Sequence, residues 1–176
     1  MNPTQKPLDN SGALADLTPA VILRCAARYL EIRGWTQGVY YSDQAGMFPP
    51  ACAIGAIGMA AHGVLTDGPE NHGPNVRDCN KAVDYLSAYL HDHGHINLDL
   101  GDWNNDGDPT LPYSTGDWND RHDRTIEQVI TTLRAAADDY DWTHASEDDL
   151  ETYADACVWA EKHPTREGYL SWLDAR

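Results

Sequence analysis

The sequence predicts an all-α protein: five to six helices packed around a buried Gly/Ala-rich central helix, with at most two short strands and a long acidic loop. Three observations carry this expectation. Pro49 to Gly63, PPACAIGAIGMAAHG, holds no charged residue and is too apolar for a wet surface, yet it falls short of the roughly 20 apolar residues that a membrane span needs. Apolar residues elsewhere recur at helical spacing behind Ser, Thr or Asn caps. No convincing run of alternating residues marks a sheet.

In chain order, residues 1–16 are Pro-, Asn- and Ser-containing and read as a flexible N-terminal arm, leaving 17–176 as one helical domain. Thr18-Pro19 supplies the cap and first-turn proline of a helix to Arg33, stopped by Gly34. Ile22, Cys25, Ala26 and Tyr29 form its expected dry side, and Arg24, Arg28 and Glu31 its wet side. The β-leaning Val39-Tyr40-Tyr41 suggests a short extended piece, with a hairpin through Asp43 to Gly46. In the central helix, residues 51–62, Ala51, Gly55 and Gly58 share a face open to close backbone approach. Cys52, Ala56 and Met59 form a second apolar face, and Gly63 ends the helix.

A loop over 64–74 follows, then a helix capped by Asn75 with Val76, Cys79, Val83, Leu86 and Leu90 along one stripe, ending near Gly94. Residues 96–124 read as irregular, apart from a brief strand at INLDL. Thr125 with Gln128 is a capping box for a helix that buries Ile126, Val129, Ile130, Leu133 and Ala137. Ser146 opens another helix with Leu150, Ala154, Cys157, Val158 and Glu161 along one side. Thr165 caps the last, whose Tyr169, Leu170, Trp172 and Leu173 are expected to cover the end of the bundle.

Charge narrows the function classes. Twelve Lys plus Arg against 28 Asp plus Glu give a net charge of −16, which disfavours nucleic-acid phosphate or an anionic membrane as direct partner. A basic partner, a metal ion or simple solubility each fits the excess of acid. Neither a signal peptide nor a membrane span is evident, so a cytoplasmic location is expected. The four cysteines are far apart without a CxxC pair, and Cys25, Cys79 and Cys157 read as reduced core thiols.

Three constellations bear on chemistry. Asp102-x-Asn104-x-Asp106-Gly107 matches the first half of a calcium loop, but Tyr113 stands where the bidentate Glu belongs. Closing the shell would fall to Asp108, Asp117, Asp120 or water, and a solvated Asx turn accounts for the same residues without metal. Cys52 in the first turn of a helix, preceded by Gln37 and followed by several histidines, Asn119 and Asp120, can be written as a thiol-catalytic order; a buried structural Cys is the alternative. His91, His93 and His95 alternate as zinc ligands can; alternatively His91 and His93 sit near a helix C-terminus, which favours a positive charge.

The acidic residues and tryptophans point instead to an interface. Asp138 to Asp155 holds eight acidic residues and no Lys or Arg, a solvated face or a match for a basic protein, or an imitation of a phosphate backbone. Trp103, Trp118 and Trp142 lie in or beside acidic stretches and are candidate interface anchors, or equally caps on the core.

The segments GWTQG (34–38), CAIGAI (52–57) and WND (118–120), followed by RT and a helix IEQVITTLRAA, resemble a family of small uncharacterised domains found mainly in actinobacteria and their phages. The resemblance implies a family-like core over 17–140, a C-terminal helical extension over 141–176, and a phage or mobile-element setting. It implies no catalytic residue. It does imply a shared centre of Trp35, Gln37, Gly38, Cys52, Trp118, Asn119 and Asp120. The expected function is a non-enzymatic acidic interaction or accessory protein that binds a protein partner through a Trp/Asp-rich surface, without cofactor unless the 102–120 loop holds calcium. The alternative is a small Cys/His- or metal-dependent hydrolase or transferase.

Overall fold

A computed structural model of the chain describes residues 17–43, 46–97 and 111–176. Within them the chain is mostly helical: α1 (Pro19–Arg33), α2 (Ala53–His62), α3 (Val76–Asp92), α4 (Thr115–Asn119), α5 (Ile126–Thr143), α6 (Glu147–Trp159) and α7 (Arg166–Asp174). No strand occurs among the described residues. In place of the expected extended piece and hairpin are two isolated bridges, both to Ala51, from Trp35 and from Tyr41.

Those bridges explain why α2 begins at Ala53 and not at 51. Ala51 N–H donates to Gly34 O at 3.3 Å and Ala51 O accepts from Thr36 N–H at 3.1 Å, so its backbone is spent on the 34–41 loop. Cys52 becomes the N-cap, and Gly63, at φ 70°, closes the helix in the left-handed conformation. The helix is nearly all buried, against α1, α3 and α4. A Cβ on Gly55 would lie 2.2 Å from Tyr40 O, and one on Gly58 2.3 Å from Pro69 Cβ; these two positions set how close the 40–41 and 69 segments come.

Helix α1 lies along α5 and α2. Its buried stripe is Ile22, Leu23, Ala26, Ala27 and Leu30. That stripe leaves Cys25 exposed on the far side with Val21 and Ile32, so Cys25 is not a core thiol as the sequence suggested; Cys79 and Cys157 are buried. Arg24 bridges to Asp138 and Asp141 of α5 at 2.7 and 2.5 Å. The capping box of α5 forms with both reciprocal bonds. Asn75 occupies the N-cap of α3 without capping it; its side-chain amide donates to Ala61 O at 2.6 Å, tying the end of α2 to the start of α3.

Residues 96–124 are not wholly irregular, since they contain α4. Ser114 caps it by accepting from Asp117 N–H at 3.0 Å, and burial of Trp118 and Asn119 holds so short a helix in place. Of the INLDL segment, Ile96 is buried and Asn97 N–H donates to Pro112 O; residues 98–100 lie outside the described residues.

Helix α6 is rotated from the expected side. Tyr153 and Cys157 face inward, while Leu150 and Val158 face out. The cause is α7: the Tyr153 hydroxyl donates to Thr165 O and accepts from Thr165 N–H, each at 3.2 Å, and its ring packs on Tyr169 and Trp172. Tyr153, Cys157 and Tyr169 thereby form a second small core apart from the main one. No described helix is long and apolar enough to cross a membrane.

Candidate functional site

The structure brings together Trp35, Gln37, Gly38, Cys52, Asn119 and Asp120, and Asn119 is the knot. The α4 helix carries its side chain into the core, where it is almost fully buried. Its Oδ1 accepts from Trp35 Nε1–H at 2.8 Å and from Ala53 N–H at 3.0 Å, while its Nδ2–H donates to Asp120 Oδ1 at 2.7 Å and Thr36 O at 3.3 Å. Asp120 Oδ1 also accepts from Gly38 N–H at 2.9 Å. Gln37 Nε2–H donates to Asn119 O at 2.9 Å and Arg121 O at 2.7 Å. Three distant stretches of sequence are thus laced by polar bonds, although the buried Trp118 Nε1–H beside them has no hydrogen-bond partner among the described residues.

Beside this knot lies a cleft of about 530 Å³, walled by Gly38 to Tyr41, Cys52, Ile54, Thr66 to Gly68 and the α4 residues Gly116 and Asn119, with Asp120 at its edge. Cys52 faces it with only 7% of its surface exposed. The thiol is not the activated one that a helix N-terminus would favour. Burial pushes its pKa up; hydrogen bonds from Gly55 and Ile54 N–H pull the other way, and the Asp120 carboxylate adds to the rise. Gly55 N–H donates to Cys52 Sγ at 3.3 Å, so the sulfur acts as the helix cap. Burial also carries the neighbouring Tyr41 phenol up to about 12.

No histidine lines the cleft. His62, at the far end of α2, is held by its backbone partners: Asn75 N–H donates to Nδ1 at 3.2 Å, which leaves Nε2–H to donate to Pro69 O at 2.8 Å. With Gln37 donating to main chain as well, the thiol-catalytic arrangement of Cys52, Gln37, a histidine and Asp120 is not assembled. Anion chemistry at the α2 N-terminus is closed off too, because Ala53 and Gly55 N–H are already spent on Asn119 and Cys52.

The calcium-loop residues Asp102, Asn104 and Asp106, with Trp103 and Asp108, lie outside the described residues. Asp117 is engaged with the Ser114 hydroxyl at 2.9 Å. Among the described residues no group of three or more His, Cys, Asp or Glu is placed to hold a metal ion. His91 pairs with Asp92, His93 Nδ1–H donates to Tyr89 O at 2.8 Å, and burial lowers the pKa of His95, with Arg124 and His93 adding to the effect.

The expected interface tryptophans separate. Trp118 is fully buried, with the Arg124 guanidinium over its ring at 4.4 Å, so it is a core residue and no anchor for a partner. It is buried because α4 turns it inward beside Asn119, whatever its polar neighbours in sequence. Trp142 stays partly exposed, edge-on to Tyr169. The sequence reading passed over Trp159, which is 89% exposed beside Val158 at the end of α6; its position off the Tyr153–Cys157 stripe is the signal that would have found it.

The acidic run also divides. Asp138 and Asp141 pair with Arg24, Asp139 with Arg166, and Asp149 with Arg176. Glu147, Asp148, Glu151 and Asp155 have no ion pair among the described residues, and all four are exposed on α6. A family model described as a family of unknown function, DUF6197, matches residues 14–139, taking in all three motifs and the cleft but neither α6 nor α7. No curated protein and no solved structure matches.

Proposed function

The chain belongs to DUF6197, a family of unknown function, and from that premise we propose that it is a non-enzymatic accessory protein that binds a basic protein partner through its acidic, tryptophan-bearing C-terminal end. One observation carries the reading: Asp138, Asp139, Asp141 and Asp149 are each paired with an arginine, whereas Glu147, Asp148, Glu151 and Asp155 on the outer side of α6 have no ion pair among the described residues and share that helix with exposed Trp159. Unpaired surface carboxylates raise the rate at which a basic partner arrives, and a solvent-facing indole supplies contact once it has. The net charge of −16 acts in the same direction and against nucleic acid. The phage or mobile-element setting that the family resemblance implies suits such an accessory role. The cleft does not favour the hydrolase alternative, since its thiol is buried with a raised pKa and no histidine reaches it.

The test is affinity capture from the native host with the wild type and with a Glu147→Lys, Glu151→Lys, Asp155→Lys variant. A basic protein held by the wild type, released by rising salt and lost by the variant is the expected result. A partner retained equally by both would overturn the reading.

A further inference from the structure

Helix α6 presents two parallel rows to solvent. Leu150, Ala154 and Val158 stand at i, i+4 and i+8, and so do Glu147, Glu151 and Asp155; each row runs about 12 Å along the axis at 1.5 Å per residue. Leu150 is 39% exposed, Val158 75% and Trp159 89%, because Tyr153 and Cys157 satisfy the side of the helix that meets α7. Ala154, half-buried between the two, is the smallest side chain of the apolar row. The acidic row beside it carries no ion pair among the described residues.

Charge selects the occupant. A second copy of the chain would set these carboxylates against their own kind in a molecule already at −16. The N-terminal arm, MNPTQKPLDNSGALAD, has one lysine and two aspartates and cannot complement four acids. An anionic membrane is repelled for the same reason. A helix with apolar residues at i and i+4 and basic residues along one flank matches both rows at once.

We propose that the outer face of α6 docks a basic amphipathic helix of a protein partner, whose apolar side chains seat along Leu150, Ala154 and Val158 and against Trp159 while its lysines or arginines align with Glu147, Glu151 and Asp155. This rests on the partner-binding reading above and adds the form the partner takes and where it lies. The match between apolar and acidic rows gives register, and Trp159, one turn on from Asp155 and next to Val158, stands at the C-terminal end of both rows.

The test uses the full chain and two fluorescent peptides of identical Leu/Lys composition and about 18 residues. One places leucines at i and i+4 on a single face; the other distributes them evenly around the helix. Fluorescence anisotropy is expected to show the one-faced peptide binding about tenfold more tightly than its control, an advantage abolished by Val158→Asp and reduced by Trp159→Ala. Glu147→Lys with Glu151→Lys should weaken both peptides and flatten their salt dependence. All substituted positions are exposed, and circular dichroism with a melting curve verifies each fold. Equal affinity for the two peptides, or an advantage that survives Val158→Asp, overturns the helix-docking proposal while leaving a basic partner in place. Failure of both peptides to bind, with host capture still lost on charge reversal, also overturns it and assigns the partner a non-helical form.

Discussion

Asn119 replaced by Ala would leave Trp35 Nε1–H and Ala53 N–H without their buried acceptor. Each orphaned group costs about 1–3 kcal/mol, so a loss of about 3 kcal/mol is expected in denaturant unfolding after partial relaxation. Cys52 gives a second test at the scale of one side chain. Iodoacetamide should label exposed Cys25 first in the native protein and leave Cys52 and Cys79 untouched until unfolding, since burial raises both thiols, Cys79 to about 11. Labelling of Cys52 at the rate of Cys25 would count against the cap role of its sulfur. The proximity of 34–38, 52 and 118–120 was readable only as a set of motifs, because nothing local tells an asparagine that it will bind a helix N-terminus 66 residues away. Trp118 was misplaced for a related reason: its acidic neighbours describe where the chain passes, and the turn of α4 decides where the indole points.

Among the helices, α2 was the most legible, being uncharged and closed by Gly63, and its two-residue offset came from Ala51 being claimed by Trp35 and Tyr41. Its glycines show packing overriding propensity. Gly55→Ala would gain about 1 kcal/mol of helix propensity. The new methyl would sit 2.2 Å from a backbone carbonyl that has no rotamer to move, and overpacking of this kind costs about 1–3 kcal/mol or more. A net loss of about 2 kcal/mol in chemical denaturation is the expected outcome; an Ala variant as stable as the wild type would mean that the 40–41 segment can retreat. Helix α6 was harder to orient, because Leu150-Ala154-Val158 and Tyr153-Cys157 are both acceptable apolar stripes, and contacts with α7, the Tyr153–Thr165 hydrogen bonds and the packing of Tyr153 on Tyr169 and Trp172, choose between them. The five-residue α4 escaped periodicity altogether, leaving its Ser114–Asp117 cap as the one local signal.

For the molecule as a whole, a mostly helical chain followed from patterning, but the extended piece expected at Val39 to Tyr41 did not form beyond isolated bridges, and the division into two apolar cores depends on contacts between side chains far apart in sequence. Its response to pH combines opposite signs. Arg28 and Arg134 hold exposed Glu31 below the usual carboxylate range, so its contribution is present above that range and fades as pH falls through the lowered value. Burial, with Asp84 adding to it, raises Glu70 instead. The stability associated with Glu70 is therefore full below the unfolded carboxyl pKa of about 4.3 and is lost as pH rises through the higher folded value. Glu70→Gln should accordingly raise the melting temperature at pH 7 and leave it nearly unchanged near pH 4; an equal shift at both would disconnect the effect from ionisation.

Helix α6 leans chiefly on α7, and α7 in turn reaches α5 through Arg166 with Asp139 and through Tyr169 against Trp142. Because Tyr153, Cys157 and Tyr169 make a nucleus of their own, the larger nucleus does not draw on that end of the chain for its sealing.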